Sequence, residues 1–460
     1  MSPEEIFRLL ERYRQQHILD HYQGLNPGKK NDFLRELQEL DLTIVFNLYE
    51  KFSKEGDSPP ISYDICLAPI LTIPRTRREM AEREEARLLG ERLIRENQVA
   101  VLIVAGGQGS RLGFEGPKGK FLISPVKRKS LFQLFGESVK AISLRYQAVI
   151  PLLMMTSQEN RQETRQFFES NNFFGLDRHT VYFFDQEMLP TITPQGNLIL
   201  GDDTHLVVNP DGHGGSLKAL YQSGLLRHLI AKGFSELFYC QVDNPLVKIA
   251  DPVFIGTHRM KESEISTKVV RRRDLEERVG IYGTVNGRPA IVEYSDFRPG
   301  EYRALDEQGN IRHWAGNIAV HMISLPFVQR LNLHGFALPY HRAVKEVEVL
   351  GPDGKGEKIR VWKFETFVFD SIPLARKTCC VEVIREEEFA PVKNQKGSDS
   401  PDTARAALSN LHRGWLKEAG VEIAPEAQVE ISPLFALDKE ELIGKLKGKE
   451  LRIQEDQYFE

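Results

Sequence analysis

The 460-residue sequence is too long for one ordinary hydrophobic core, so about two or three domains are expected. Its 61 lysines and arginines stand against 65 acidic residues, a net charge of −4, and no stretch is basic enough to form a nucleic-acid-binding stripe. No apolar run approaches a membrane span, and residues 1–30 carry acids rather than a charged-then-apolar secretion signal, so a cytoplasmic protein without nucleic-acid or membrane partners is expected.

The chain opens with Ser2 as an N-cap, Pro3 at the first helical position and Glu5 completing a capping box, followed by Ile6, Leu9, Leu10 and Tyr13 at helical spacing. After a break at Asn26-Pro27-Gly28, Phe33, Leu37, Leu40, Ile44 and Leu48 continue that period over residues 31–54. A passage containing Pro59, Pro60, Pro69 and Pro74 crosses to a strongly charged helix over residues 75–97. The cysteines, Cys66, Cys240, Cys379 and Cys380, sit in apolar surroundings without C-x-x-C spacing, and the vicinal pair cannot readily bond to itself, so all are read as reduced.

Residues 99–105 have the length and β-branched content of a strand buried on both faces, and the run stops at Gly106, Gly107 and Gly109. Glycines there let bare N–H groups approach an anion, and Arg111 and Lys118 bring side-chain charge to the same loop. The loop suits phosphate. Neither common phosphate loop fits, because the third glycine of G-x-G-x-x-G falls on Leu112 and no Gly-Lys-Ser/Thr follows Gly109 or Gly113.

From residue 99 to about 255 strands alternate with helical patterns, the mark of a βαβ layout with a parallel sheet. Strands are expected over 149–155, 181–184, 205–208 and 238–242. Thr156-x-x-Glu159 reads as a capping box for a helix reaching about Ser170, and a helix after Gly215 runs through Leu229 and is closed by Gly233. In such sheets ligands bind beyond the carboxyl ends of strands, so the loops there are expected to converge on one crevice. Asp202-Asp203 reads as a solvated polar loop.

Residues 267–330 turn antiparallel, with a type I′ hairpin signal at Asn286-Gly287. Counting outward from Val285 opposite Arg288 puts Gly280 opposite Glu293 on one face, a notch with an acceptor on its wall. Pro289 implies an edge strand, or a bulge that would shift the count. Residues 360–384 read as two core segments and 385–400 as a charged loop. Residues 401–460 carry a helix over 402–419, a Val-x-Ile strand region and a charged tail helix.

Gly106-Gly-x-Gly-x-Arg-Leu-Gly followed by Pro117-Lys-Gly resembles the signature of the UDP-sugar pyrophosphorylases, specifically their UDP-N-acetylhexosamine branch, and further motifs extend the likeness over about residues 100–396. The resemblance implies an α/β chain with a GT-A-like (Rossmann-like) nucleotide-diphospho-sugar transferase domain and a mixed sheet over 98–396, an N-terminal helical region over 1–97 and a small C-terminal domain over 397–460. It implies a uridylyltransferase that converts UTP and N-acetylglucosamine 1-phosphate, with Mg²⁺, into UDP-N-acetylglucosamine and pyrophosphate, reversibly. The alternatives are a UDP-glucose or broad-specificity UDP-sugar pyrophosphorylase and a non-catalytic sugar-nucleotide-binding protein; Arg111, Asp243 and Lys393 occurring together argue against the last.

Carried residue by residue, the likeness places Ala105, Gly106, Gly107 and Gly109 around the nucleotide phosphates with the catalytic cations Arg111 and Lys118. It places Gln186, in Phe183-Phe-Asp-Gln-Glu-Met-Leu-Pro, and Gly212, in Pro210-Asp-Gly-His-Gly-Gly, at the uracil; His213 stands where the family carries Asn. Asp243, in Cys240-Gln-Val-Asp-Asn-Pro, matches the metal-holding aspartate and borders the sugar site. Gly280, Glu293, Asn317, Phe367 and Phe369 match sugar-binding positions. Lys393, in Arg385-Glu-Glu-Glu-Phe-Ala-Pro-Val-Lys-Asn, would offset charge on the sugar phosphate and the attacked α-phosphate.

Overall fold

The structure is a computed structural model that describes residues 1–55, 65–350 and 356–460, so the passage at Pro59 and Pro60 lies outside the described residues. The architecture is mixed α/β with a central mixed sheet. It resolves into two compact units, each assembled from separate pieces of chain: Met1–Ile61, Gln186–Ala219 and Ala337–Asp370 form one, and Ser62–Asp185, Leu220–Phe336 and Ser371–Glu460 the other. The division differs from the consecutive segments 1–97, 98–396 and 397–460, because the apolar stripe of the N-terminal helices is completed by residues far along the chain.

In the first unit the helices Pro3–Arg12, Gln16–Gly24, Pro27–Glu39 and Leu42–Glu55 bury Ile6, Leu10, Phe33, Leu37 and Phe46 in one cluster with Leu189, Ile192, Trp362 and Phe364. The Ser2–Glu5 capping box forms, and Asn26-Pro27 is itself a helix start, with Asn26 accepting from the Lys29 N–H. Strand Met188–Pro190 pairs antiparallel with Val208–Pro210. The run expected over 205–208 therefore joins a two-stranded ladder and not the parallel sheet, since prolines at 190 and 210 cannot donate to a central strand. His341–Leu350 pairs along its length with Gly356–Glu365. Periodicity does not mark the first of these strands, because Lys345 interrupts the alternation of Ala343, Val347 and Val349.

In the second unit the main sheet runs in the order Ile65–Cys66, Ile281–Val285, Ala315–Ser324, Glu236–Gln241, Val99–Val104, Leu152–Thr156, Val181–Asp185. The last four strands are mutually parallel, and Ala315–Ser324 is antiparallel to Glu236–Gln241. Arg288–Val292 pairs with Ile281–Val285, and Ile265–Arg271 connects Ala315–Ser324 to Thr378–Glu382. Helix Arg77–Arg95 starts with a capping box at Thr76 and Glu79 and crosses helix Pro252–Met260 at glycines. A Cβ on Gly90 would stand 1.8 Å from the Pro252 carbonyl oxygen, and one on Gly256 1.7 Å from that of Ala86.

Other local expectations are corrected in this unit and at its border. Thr156 is not an N-cap: it ends the buried strand Leu152–Thr156, its hydroxyl donates to Asp185 at 2.7 Å, and helix Arg161–Ser170 begins only after Asn160. The helix expected through Leu229 is broken into Gly215–Gln222 and Leu225–Ala231 by Gly224 at φ 76°. The C-terminal helix Pro401–Glu418 packs Leu416 with Val429, Ile431 and Leu442, and the tail helix Lys439–Leu446 is followed by the short strands Arg452–Ile453 and Gln457–Phe459. All four cysteines are free; Cys66 is exposed, contrary to its apolar reading, and the other three are buried. Among the described residues no helix is long and apolar enough to cross a membrane.

Candidate active site

In the second unit, the strand Val99–Val104 delivers Ala105 into a fixed root: its N–H donates to the Met155 carbonyl at 2.8 Å, and its own carbonyl accepts from the Asn160 amide at 2.9 Å. The glycine loop folds back on itself, with Gly109 N–H on the Gly116 carbonyl and Lys118 N–H on the Gly107 carbonyl. Gly107 is exposed with open space where a Cβ would stand, whereas a Cβ on Gly109 would meet Phe114 at 2.7 Å. Gly106 lies half-buried between them and the strand, and Arg111 is exposed on the 3₁₀ turn Ser110–Leu112.

Strand Glu236–Gln241 is the parallel neighbour of Val99–Val104, so the ends of both strands lie side by side and the Val242 N–H donates to the Val104 carbonyl. That places Asp243 against the loop: Lys118 Nζ lies 3.2 Å from Asp243 Oδ2, with both side chains mostly buried. The segment leading to Lys393 is stitched to the same strand end. Asn244 donates to the Glu388 carbonyl at 2.7 Å and accepts from the Ala390 N–H at 3.0 Å, and the Val392 N–H donates to the Asp243 carbonyl at 2.8 Å. Lys393, half-buried, comes next.

The hairpin pairs as counted. Asn286 and Gly287 take φ 50° and 75°, and the ladder runs without slip from Arg288–Val285 to Val292–Ile281. Pro289 faces Thr284 on a strand that pairs only with Ile281–Val285 among the described residues, the edge placement a proline tolerates. Gly280 and Glu293 are next in line, and a Cβ on Gly280 would stand 2.8 Å from Glu293 Oε1. The notch is thus lined by the carboxylate itself. Asn317 closes the group by donating its N–H to the Gly280 carbonyl at 2.8 Å. Its side chain accepts from the Ala319 N–H where the strand slips its register, with Ala319 at φ 55°.

Among the described residues no cluster of His, Cys, Asp or Glu side chains could enclose a metal ion. A metal here would rest on Asp243 and on substrate and water oxygens. That donor set fits Mg²⁺, which keeps several waters and needs only one or two carboxylates.

In the first unit, Gly212 takes φ 84°, and a Cβ there would stand 2.4 Å from the Thr366 carbonyl oxygen, so only glycine fits. The loop is zipped to residue 366: Thr366 N–H donates to the Asp211 carbonyl and Gly214 N–H to the Thr366 carbonyl. Gln186 is buried. Phe367 and Phe369 stack with centroids 5.1 Å apart, and His213 lies 5.3 Å from the first ring and 5.7 Å from the second. His213 Nδ1 accepts from the Val368 N–H at 3.2 Å. His213 thus braces the phenylalanine pair. His341 stacks on Phe367 at 4.8 Å and bonds Asp370 at 2.8 Å.

Sequence reasoning passed over Asp211, which is fully buried with neither carboxylate oxygen hydrogen-bonded to another described residue. Burial, reinforced by the nearby Glu187 charge and opposed by Lys218, pushes its carboxyl up to about 8. The folded chain therefore keeps a proton that the unfolded chain releases near pH 4, and this group removes stability as pH rises from about 4 to about 8, by up to ~1.4 kcal/mol per unit. Asp211→Asn should flatten that slope, matching the wild type near pH 4 and melting higher at pH 7.5. Calorimetry across the range checks it; an identical slope in both proteins would rule the group out.

A family model described as UTP–glucose-1-phosphate uridylyltransferase matches residues 45–447. The UDP-N-acetylglucosamine pyrophosphorylase of Saccharomyces cerevisiae is 34% identical, covering 96% of this chain and 93% of its own. UDP-N-acetylglucosamine diphosphorylase 1 of Arabidopsis thaliana is 32% identical, covering 97% and 92%. The crystal structure of the uridine diphosphate N-acetylglucosamine pyrophosphorylase from Trypanosoma brucei, in complex with inhibitor, aligns with a TM-score of 0.82 at 26% identity over 99% of both chains.

Proposed function

The chain belongs to the UTP–glucose-1-phosphate uridylyltransferase family, and from that premise we propose that it converts UTP and N-acetylglucosamine 1-phosphate into UDP-N-acetylglucosamine and pyrophosphate, reversibly, on a GT-A-like domain. The observation that carries this reading is the pairing of Lys118 with Asp243 at adjacent strand ends, with the Lys393 segment bonded to the same Asp243 backbone. A phosphate loop, an acid and a second cation at one sheet edge suit a reaction that gathers phosphate charge and needs little covalent help from the protein.

In this reading a sugar-phosphate oxygen forms a bond to the α-phosphorus as the bond to the pyrophosphate oxygen breaks in line. The attacking phosphate is already ionised near neutral pH, so no base is required. Arg111, Lys118 and the N–H groups of the loop hold the departing pyrophosphate, and Lys393 meets the charge that gathers at the attacked phosphate. Mg²⁺ held by Asp243 would supply charge neutralisation at the phosphate oxygens. In the second unit Gly280, Glu293 and Asn317 hold the sugar hydroxyls; in the first, Gly212 and Gln186 match the uracil-reading positions of the family and the stacked Phe367 and Phe369 its acetamido positions. Free thiols agree with the cytoplasm as the setting.

Pyrophosphate release from UTP and Mg²⁺ with a panel of sugar 1-phosphates tests the assignment. N-acetylglucosamine 1-phosphate should give the highest kcat/KM; a preference for glucose 1-phosphate would make this a UDP-glucose enzyme, and no release with any sugar would make it a binding protein. In the same assay Glu293→Ala should raise KM for the sugar phosphate roughly tenfold or more, the worth of a hydrogen bond to a charged group, and leave KM for UTP within about threefold. Equal effects on both substrates would remove Glu293 from the sugar site.

A further inference from the structure

The helical turn Arg385–Glu388 touches three parts of the second unit that the proposed reaction uses separately. At its start, Arg385 Nη2 lies 2.8 Å from each oxygen of the buried Glu277 carboxylate and 3.1 Å from the Arg271 carbonyl. Glu277 in turn accepts from the Arg273 N–H at 2.6 Å, and its carbonyl accepts from the Tyr302 hydroxyl at 2.5 Å. The Val279 N–H is bonded to that same hydroxyl at 3.1 Å, and Gly280 is the next residue. Arg385 thereby fixes the base of the sugar hairpin.

At the other end, Glu388 Oε2 lies 2.5 Å from Lys268 Nζ, which lies 2.8 Å from Asp251 Oδ2. Lys268 is 0% exposed and both acids are buried. Such a cluster adds little or no stability over apolar side chains of the same shape, because desolvating the charges offsets their attraction. What it does supply is a single permitted arrangement. Directly from Glu388 the main chain bonds to Asn244 and then, through Val392, to Asp243, before reaching Lys393.

We propose that this turn is a spacer that sets the sugar hairpin and the Lys393 cation at a fixed separation, with Arg385 as the positioning residue for the hairpin and Glu388, clamped by Lys268, as the positioning residue for Lys393 beside Asp243. The turn is about 6 Å long, so its two ends cannot drift apart without breaking one of the anchors. The inference rests on the uridylyltransferase reading above.

Steady-state constants for full-length Arg385→Met and Glu388→Gln test it, alongside the wild type. Arg385→Met should raise KM for the sugar 1-phosphate roughly tenfold and leave KM for UTP within about twofold. Glu388→Gln, of the same shape, should lower kcat about tenfold to a hundredfold with both KM values within about threefold, the size expected when a catalytic group is displaced by an ångström. If Glu388→Gln does not fold, Asn244→Ala removes the bonds to the Glu388 carbonyl and the Ala390 N–H, leaves the Val392 bond and the buried charges in place, and should lower kcat in the same direction by a smaller factor. A merely structural turn would lower the yield of active protein and leave both constants of the folded fraction unchanged; that outcome, or a change in both substrates' KM together, overturns the proposal. A wild type that is active while both variants stay unsplit sinks the spacer alone, and a wild type inactive with every sugar sinks the reaction as well.

Discussion

Asp243→Asn should lower turnover with UTP and N-acetylglucosamine 1-phosphate by about two to three orders of magnitude, the scale on which removing one charge-stabilising group acts in such sites. The substitution keeps the size of the side chain and leaves the bond between the Asp243 carbonyl and the Val392 N–H in place, so the segment leading to Lys393 should not move. What it removes is the carboxylate 3.2 Å from Lys118, the acidic group at the carboxyl end of Glu236–Gln241. The variant should therefore melt within a few degrees of the wild type and need far more Mg²⁺ to reach its own maximum. Measuring kcat across a Mg²⁺ titration settles the point, and a variant of near-normal rate with an unchanged Mg²⁺ requirement would show that the acid serves only to orient Lys118.

The second large effect is on folding. Gly256→Val should abolish the soluble folded protein or lower its melting temperature by more than about 10 °C, because the added carbon would lie 1.7 Å from the Ala86 carbonyl oxygen, where apolar contacts settle near 3.5–4 Å. The obstruction is helix backbone and not the tip of a side chain, so it cannot swing aside, and the helices Arg77–Arg95 and Pro252–Met260 would have to part. Overpacking of this kind exceeds the usual ~1–3 kcal/mol because relief requires moving a whole helix. Gly414→Ala is the matched control, being inside helix Pro401–Glu418 with nothing within 4 Å of the new carbon; it should be neutral or slightly stabilising. Equal behaviour of the two variants would refute the crossing as the cause.

Which features were legible in the sequence follows from how far their causes reach. The Ser2–Glu5 capping box, the strand before the glycine loop and the Asn286-Gly287 turn each depend on neighbours a few residues away, and the register counted from that turn runs without slip to Val292 and Ile281, the neighbours of Glu293 and Gly280. The individual strand ends at Ala105 and Asp243 were readable too. Their adjacency was not, since periodicity does not say that Glu236–Gln241 lies beside Val99–Val104. Thr156 shows the weakness of a local pattern in isolation: its capping-box spacing is real, but the strand ends one residue later than expected and takes the hydroxyl for Asp185. Asp211 and the Arg385–Glu277 pair leave no such local signal, since the main chain at Asp211 is bonded to the distant Thr366 and the members of the pair stand more than 100 positions apart.

The first unit's interleaved make-up also has a consequence for synthesis on the ribosome. Ile6, Leu10, Phe33 and Phe46 leave the exit tunnel early, yet the cluster they belong to is completed only by Trp362 and Phe364. At about 5–20 residues per second the nascent helices would wait on the order of 15–60 s with their apolar stripes uncovered. During that interval they should be bound by chaperones that take up apolar surface, and newly made chains stalled before residue 360 should remain chaperone-bound and protease-sensitive at the N-terminus, however well the rest has folded.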